Sequence, residues 1–190
     1  MGKNYSVTRS ARVIIASTRA AAGVYDDRTG PLIVGWLSDR GYDVTEQVVV
    51  ADGHAVGDAL RAALAEHVDL IITSGGTGIS PTDATPESTA AVLDYQIPGL
   101  ADAIRRAGVH KVPTAVLSRG VCGVAGRTLI INLPGSPGGS KTDWVCWPAC
   151  WSMRWISSAV RIMPGERIRH PCRIDRDADL IDRIRGAGRP

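Results

Sequence analysis

The chain has 190 residues, with 22 basic and 19 acidic side chains and a formal net charge of +3. Its mean hydropathy is +0.01. That length can bury a sizeable core, as one domain plus an appendage. There is no apolar run of membrane-spanning length and no signal-like leader, so the expected compartment is the cytoplasm. Four cysteines at this length do not make a disulfide scaffold. Through Lys141 the chain carries 13 basic and 13 acidic residues, so the excess charge sits entirely in the last 49 residues, with 9 and 6. No concentrated basic face marks the long neutral part as a nucleic-acid binder.

Residues 1–10 read as a polar lead-in, and residues 11–141 as an α/β domain. Arg12-Val-Ile-Ile-Ala-Ser17 is a first strand, apolar on both faces. A loop from Ser17 to Gly30 precedes a helix over about Pro31 to Arg40, with Ile33, Trp36 and Leu37 inward and Gly41 as its stop. Trp36 is expected in the core. Val44 to Ala51 is a second strand ending at Asp52-Gly53. A helix follows over about 55–66, with Val56, Leu60, Ala63 and Leu64 on its inner face. Val68 to Thr73 is a third buried strand. Helices are expected over 86–94 and about 98–107, a short strand over Thr114 to Ser118, and a last strand over Thr128 to Leu133. Gly120, Gly123 and Gly126 mark a flexible turn between these two. Cys122, in that turn, is expected to be a packing residue, because no histidine lies nearby in sequence to activate it. His110 is expected at the surface. Strands alternating with amphipathic helices imply a three-layer αβα sandwich with a mostly parallel sheet, and ligands gather at the carboxyl ends of such strands.

Two strand ends there carry unusual chemistry. Thr73-Ser-Gly-Gly-Thr-Gly78 leads through Ser80-Pro-Thr-Asp83 to the helix start Thr85-Pro86-Glu87. Glycines let backbone N–H groups approach an anion closely, and a carboxylate beside a phosphate suits Mg²⁺. Plain turn geometry is the competing explanation, since the spacing is neither a dinucleotide fingerprint nor a P-loop. Pro134-Gly-Ser-Pro-Gly-Gly139 offers a second small-residue bend at the end of the last strand. Asp52 sits at another strand end, where a helix N-cap is its competing role. For Asp83 the competing role is a local side-chain turn. Two carboxylates, two glycine-rich bends and no evident nucleophile suit phosphoryl or nucleotidyl transfer, which needs positioning and charge neutralisation more than covalent catalysis.

Four motifs in order, Thr73-Ser-Gly-Gly-Thr-Gly78, Asp83-x-Thr-Pro86, Ile97-Pro-Gly-Leu100 and Leu129-Ile-Ile-Asn-Leu-Pro-Gly-Ser-Pro-Gly138, resemble the molybdopterin-binding family of MogA/MoaB type, related to the gephyrin G domain. The resemblance covers roughly residues 10–140. It implies an adenylyltransferase that binds Mg-ATP and molybdopterin, moves AMP to the pterin's terminal phosphate and releases pyrophosphate. By motif matching, Thr73, Ser74, Gly75, Gly76, Thr77 and Gly78 would line the phosphate site. Asp52 and Asp83 would hold Mg²⁺ and orient the attacking phosphate, while Ser118, Arg119, Pro134, Gly135 and Ser136 would line the rest of the cleft. A homotrimer and a hand-off to a molybdenum-inserting enzyme are further implications. A non-catalytic pterin-binding or scaffolding role is the alternative.

The likeness stops after Lys141. Residues 142–190 hold four of the five tryptophans and three of the four cysteines. Three readings compete: an appended segment with Trp144, Trp147, Trp151 and Trp155 near helical spacing; a metal site of Cys146, Cys150, His170 and Cys172; and a shifted reading frame. Regrouping the codons from about 142 turns Trp and Cys into Leu, Gly, Ala and Val-type residues, the aliphatic helix that the resembled family has at this place. The frame shift is the reading adopted, and sequencing the gene around codon 142 tests it: an intact frame shared by close relatives excludes it. On that reading the end from Pro164 to Pro190 should be mobile.

Overall fold

The computed structural model describes residues 8–109 and 112–135. Ser136, His110 and the whole tryptophan-rich tail, with its three readings, lie outside the described residues. Among the described residues seven strands form one sheet in the order β2-β1-β4-β7-β6-β5, with β3 also pairing β1. They are β1 (Ser10–Ala16), β2 (Asp43–Val44), β3 (Val48–Val50), β4 (Leu70–Ser74), β5 (Tyr95–Gln96), β6 (Cys122–Ala125) and β7 (Thr128–Leu133). Strands β1 to β4 and β7 pair in parallel; β6 is antiparallel to both β7 and β5. The helices are α1 (Thr18–Ala21), α2 (Thr29–Ser38), α3 (His54–Ala65), α4 (Thr85–Ala90) and α5 (Pro98–Val109).

Side-chain alternation along the central strands builds two separate cores, one on each sheet face. Leu70 and Ile72 of β4 join Ile33 and Leu37 of α2 and Leu100 and Ile104 of α5 on one side. Ile71, from the same strand, joins Val56, Leu60 and Ala63 of α3 on the other. Every residue of β4 and β7 is buried, and both are mainly apolar, with Thr73, Ser74, Thr128 and Asn132 as their polar members. This is the αβα sandwich with a mostly parallel sheet that the alternation of strands and helices implies. Trp36 is partly buried against the first core, with the Arg40 guanidinium 4.0 Å from its ring centroid.

Several boundaries differ from expectation, each for a local reason. Helix α2 begins at Thr29, because the Asp27 carboxylate accepts the N–H groups of Thr29 and Gly30. The segment from Ser17 is not all loop: the Ser17 hydroxyl caps the single turn of α1 by accepting the Ala20 N–H at 3.3 Å. The expected second strand is split into β2 and β3. Val44 pairs with Ala11 and Val48 with Ile14, so one extra residue interrupts the ladder. Helix α4 stops at Ala90 because the chain turns to pair with β6, the Asp94 N–H donating to the Val124 carbonyl. Thr114 to Ser118 is not a strand: Pro113–Leu117 is a 3-10 turn packed on α5. The expected flexible turn around Gly123 is strand β6, and only Gly126-Arg127 forms the hairpin bend to β7.

Cys122 thus sits in a strand, 1% exposed, with its thiol pushed up to about 12 mainly by burial. The neutral thiol is the form the fold prefers. Its stabilising contribution is therefore complete below the ordinary thiol pKa and fades as pH rises towards 12. Site-resolved mass spectrometry after iodoacetamide at pH 8 should find Cys122 unmodified until denaturant is added; rapid native labelling would contradict its packing role.

Asn132 is, with Thr128, one of the two polar residues of β7. Its amide donates to Thr73 Oγ1 and Thr89 Oγ1, both at 2.9 Å, and its Oδ1 accepts the Val121 N–H. One side chain therefore ties β4, α4 and the entry to β6. Asn132→Leu strands those buried partners and should cost about 2–4 kcal/mol in denaturant unfolding. A loss within about 0.5 kcal/mol would mean that the network contributes little.

Candidate functional site

Parallel pairing puts the carboxyl ends of β1, β3, β4 and β7 on one rim, and the register levels them. Ala16 faces Val50, Ile15 faces Ser74, and Ser74 faces Leu133. The residues just past these ends are Ser17-Thr18, Ala51-Asp52, Gly75-Gly76 and Pro134-Gly135. The chain closes on itself here. The Gly75 N–H donates to the Leu133 carbonyl at 3.1 Å, and the Ser74 hydroxyl to the Pro134 carbonyl at 3.4 Å. At Gly75, with φ +104°, a Cβ would stand 2.1 Å from the Ala16 carbonyl oxygen, and a Cβ on Gly135 would stand 2.8 Å from the Gly75 Cα. Three strand ends touch here through backbone alone, which only glycine allows.

Asp52 comes to this rim from β3. Its Oδ2 accepts from the Thr18 N–H at 3.4 Å and the Thr18 hydroxyl at 3.3 Å, while its own N–H donates to Thr18 Oγ1. The N-cap alternative does not hold, since Gly53 occupies the cap of α3 and Asp52 bonds Thr18 instead. Its other oxygen, Oδ1, is buried without a hydrogen-bond partner, as is Thr85 Oγ1. Both oxygens face Gly76, at 2.4 and 2.3 Å from where its Cβ would be. Buried unpaired oxygens are costly, and these two lie against the same glycine.

Asp83 approaches the same loop two residues further on. Its Oδ2 accepts the Ser80 N–H at 3.0 Å and lies 2.7 Å from the Cβ position of Gly78. This bond runs back three residues and is not the Asx-type turn expected as its alternative role, and the carboxylate abuts the glycine loop. Ser118 donates to Thr77 Oγ1 at 3.3 Å, and the Arg119 N–H donates to the Thr77 carbonyl at 2.8 Å. The Arg119 guanidinium bonds the carbonyls of Gly78 and Asp83 and the carboxylate of Glu87. Of the residues expected at the site, the described ones other than Thr73 lie along this rim. Thr73 is fully buried within β4, its hydroxyl accepting from Asn132. Thr18, Thr85, Glu87 and Asn132 were not expected. Asn132, inside a mainly apolar strand, and Thr85, inside the Asp83-x-Thr-Pro86 motif, were the visible signals among them.

The donor set can be weighed for a metal. No group of three or more His, Cys, Asp or Glu among the described residues is placed to hold one. Two carboxylates against one glycine loop, one with an orphaned oxygen, fit a hard cation that brings phosphate and water as its remaining ligands, the habit of Mg²⁺.

Fold and rim together define an α/β protein of the class in which ligands gather at the carboxyl ends of parallel strands. A family model described as "Probable molybdopterin binding domain" matches residues 12–145. The chain belongs to this molybdopterin-binding family, of MogA/MoaB type. The solved Mog protein from Mycobacterium ulcerans is similar at 62% identity, covering 81% of this chain and 95% of that one, with TM-score 0.71. A solved MogA structure shares 71% identity over 68% of this chain and 86% of its own, with TM-score 0.66. Among curated proteins, the molybdopterin adenylyltransferase of Haemophilus influenzae is 39% identical over 132 residues. That of Escherichia coli K12 is 35% identical over 130. The match covers 66% of this chain and 66% of each of those two relatives. Relatives so named imply a role in molybdenum cofactor biosynthesis. No described helix is long and apolar enough to cross a membrane.

Proposed function

We propose that this chain is a molybdopterin adenylyltransferase, transferring AMP from ATP to the terminal phosphate of molybdopterin with release of pyrophosphate. The observation that carries this reading is the meeting of Asp52, Asp83 and the Gly75–Gly78 loop at one strand-end rim. Backbone N–H groups of the loop would receive phosphate oxygens. Two carboxylates beside such a cradle would repel a bare triphosphate, so the pair makes chemical sense only with a cation between. Mg²⁺, when bound, would neutralise phosphate charge and help align the reacting groups. Asp52 and Asp83 are its proposed holders, and Asp83 would also orient the incoming phosphate. Ser118, Pro134 and Gly135 would bound the cleft, and Thr18 would hold Asp52 in place through two hydrogen bonds.

The relatives' printed names support the reaction, and the resemblance adds a homotrimer and onward delivery of the adenylylated pterin. The test is pyrophosphate release from ATP by the purified chain, with and without molybdopterin and Mg²⁺. Release that needs all three is expected. Pterin binding without release would leave a binding protein and remove the enzyme reading.

A further inference from the structure

By motif matching Arg119 would line the cleft, and its guanidinium is bound to protein on every side. The Nε donates to the Gly78 carbonyl at 2.7 Å; one terminal nitrogen bonds the Asp83 carbonyl, and the other pairs with Glu87. All three guanidinium nitrogens are thus engaged with protein, in the planar fork that arginine supplies and lysine cannot.

The positions of those acceptors matter. Gly78 and Asp83 are the two ends of the six-residue loop Gly78–Asp83, whose middle is exposed, Ile79 at 70%. Within the loop, Ser80 and Asp83 exchange two bonds of 3.0 Å, one through the Asp83 carboxylate. The guanidinium spans both ends and anchors them, through Glu87, to the first turn of α4. The backbone of Arg119 is itself fixed to the Thr77 carbonyl, and Arg105 Nη1 holds the neighbouring Gly120 carbonyl at 3.0 Å. The Asp83 carboxylate therefore has two constraints, a turn of its own and a staple outside it.

We infer that Arg119, paired with Glu87, is a positioning residue that staples the ends of the Gly78–Asp83 loop and so fixes where the Asp83 carboxylate stands, and that it is not itself a phosphate ligand. This rests on the proposed role of Asp83 for its catalytic consequence, though the staple itself does not.

Two readouts on the full chain separate the possibilities. Amide hydrogen exchange on Arg119→Ala should accelerate Ser80 and Asp83 about ten-fold or more while Ile71 and Ile72 in β4 keep their protection. In the pyrophosphate assay the same variant should lower kcat about ten-fold with KM for Mg-ATP changed less than about three-fold. Arg119→Lys, which keeps the charge but loses the fork, should fall between wild type and alanine. Glu87→Gln should shift both readouts the same way by less, and it guards against an alanine variant that does not fold. Unchanged exchange at Ser80 and Asp83 overturns the staple. So does a KM for Mg-ATP raised ten-fold at unchanged kcat, the mark of a lost phosphate contact. A wild type without turnover would remove the transferase reading, and the exchange result would then decide the staple alone.

Discussion

Asp83→Asn should leave the protein folded and lower pyrophosphate release by about 10²–10³-fold, the usual loss when one preorganised electrostatic group is removed. The two side chains have the same shape. The asparagine carbonyl can still accept the Ser80 N–H that Asp83 Oδ2 accepts at 3.0 Å, so the local turn survives. What goes is the charge, and with it one of the two proposed holders of the cation. Circular dichroism and denaturant midpoint should match wild type while the rate collapses. A variant releasing pyrophosphate within about three-fold of wild type would remove Asp83 from the proposed chemistry.

Gly75→Ala should be the most damaging single methyl in the described structure. Two independent obstacles meet there: a φ of +104° and a Cβ position 2.1 Å from a backbone oxygen of β1. That oxygen belongs to a central strand and cannot swing aside like a side-chain tip. Strained backbone and overpacking together cost roughly 3 kcal/mol or more. Gly35 in α2 is the internal control, since it has nothing within 4 Å of its Cβ position and an ordinary helical backbone. Gly35→Ala should be neutral or gain up to about 1 kcal/mol. Equal unfolding midpoints for the two variants would contradict the close approach of β1, β4 and β7 at the rim.

The rim was legible in the sequence because its chemistry is local. A strand end followed by Gly-Gly-x-Gly and Asp-x-Thr-Pro carries its own signal, and strands such as Leu129–Leu133 are apolar on both faces only because helices cover both. The edge of the sheet was not legible. Tyr95–Gln96 is two residues long and owes its strand geometry to pairing with Gly123 and Val124, a contact no short window contains. Gly123 itself reads as a breaker, yet a Cβ there would strike the Tyr95 carbonyl at 2.4 Å, so the strand pairing requires glycine. Propensity lost to tertiary contact at both places. Arg119 reads in the sequence only as a cleft-lining residue, because its bonds to Gly78, Asp83 and Glu87 join segments that no short window contains. Thr85 read as a helix start, and nothing in the sequence foretold that its hydroxyl would be left unpaired beside Asp52.

The most direct measurement is a crystal structure of the chain soaked with Mg-ATP. The triphosphate should lie against the backbone amides of Gly75 to Gly78, with the metal reached by both Asp52 and Asp83. Phosphates seated elsewhere, or a metal held by neither carboxylate, would contradict it.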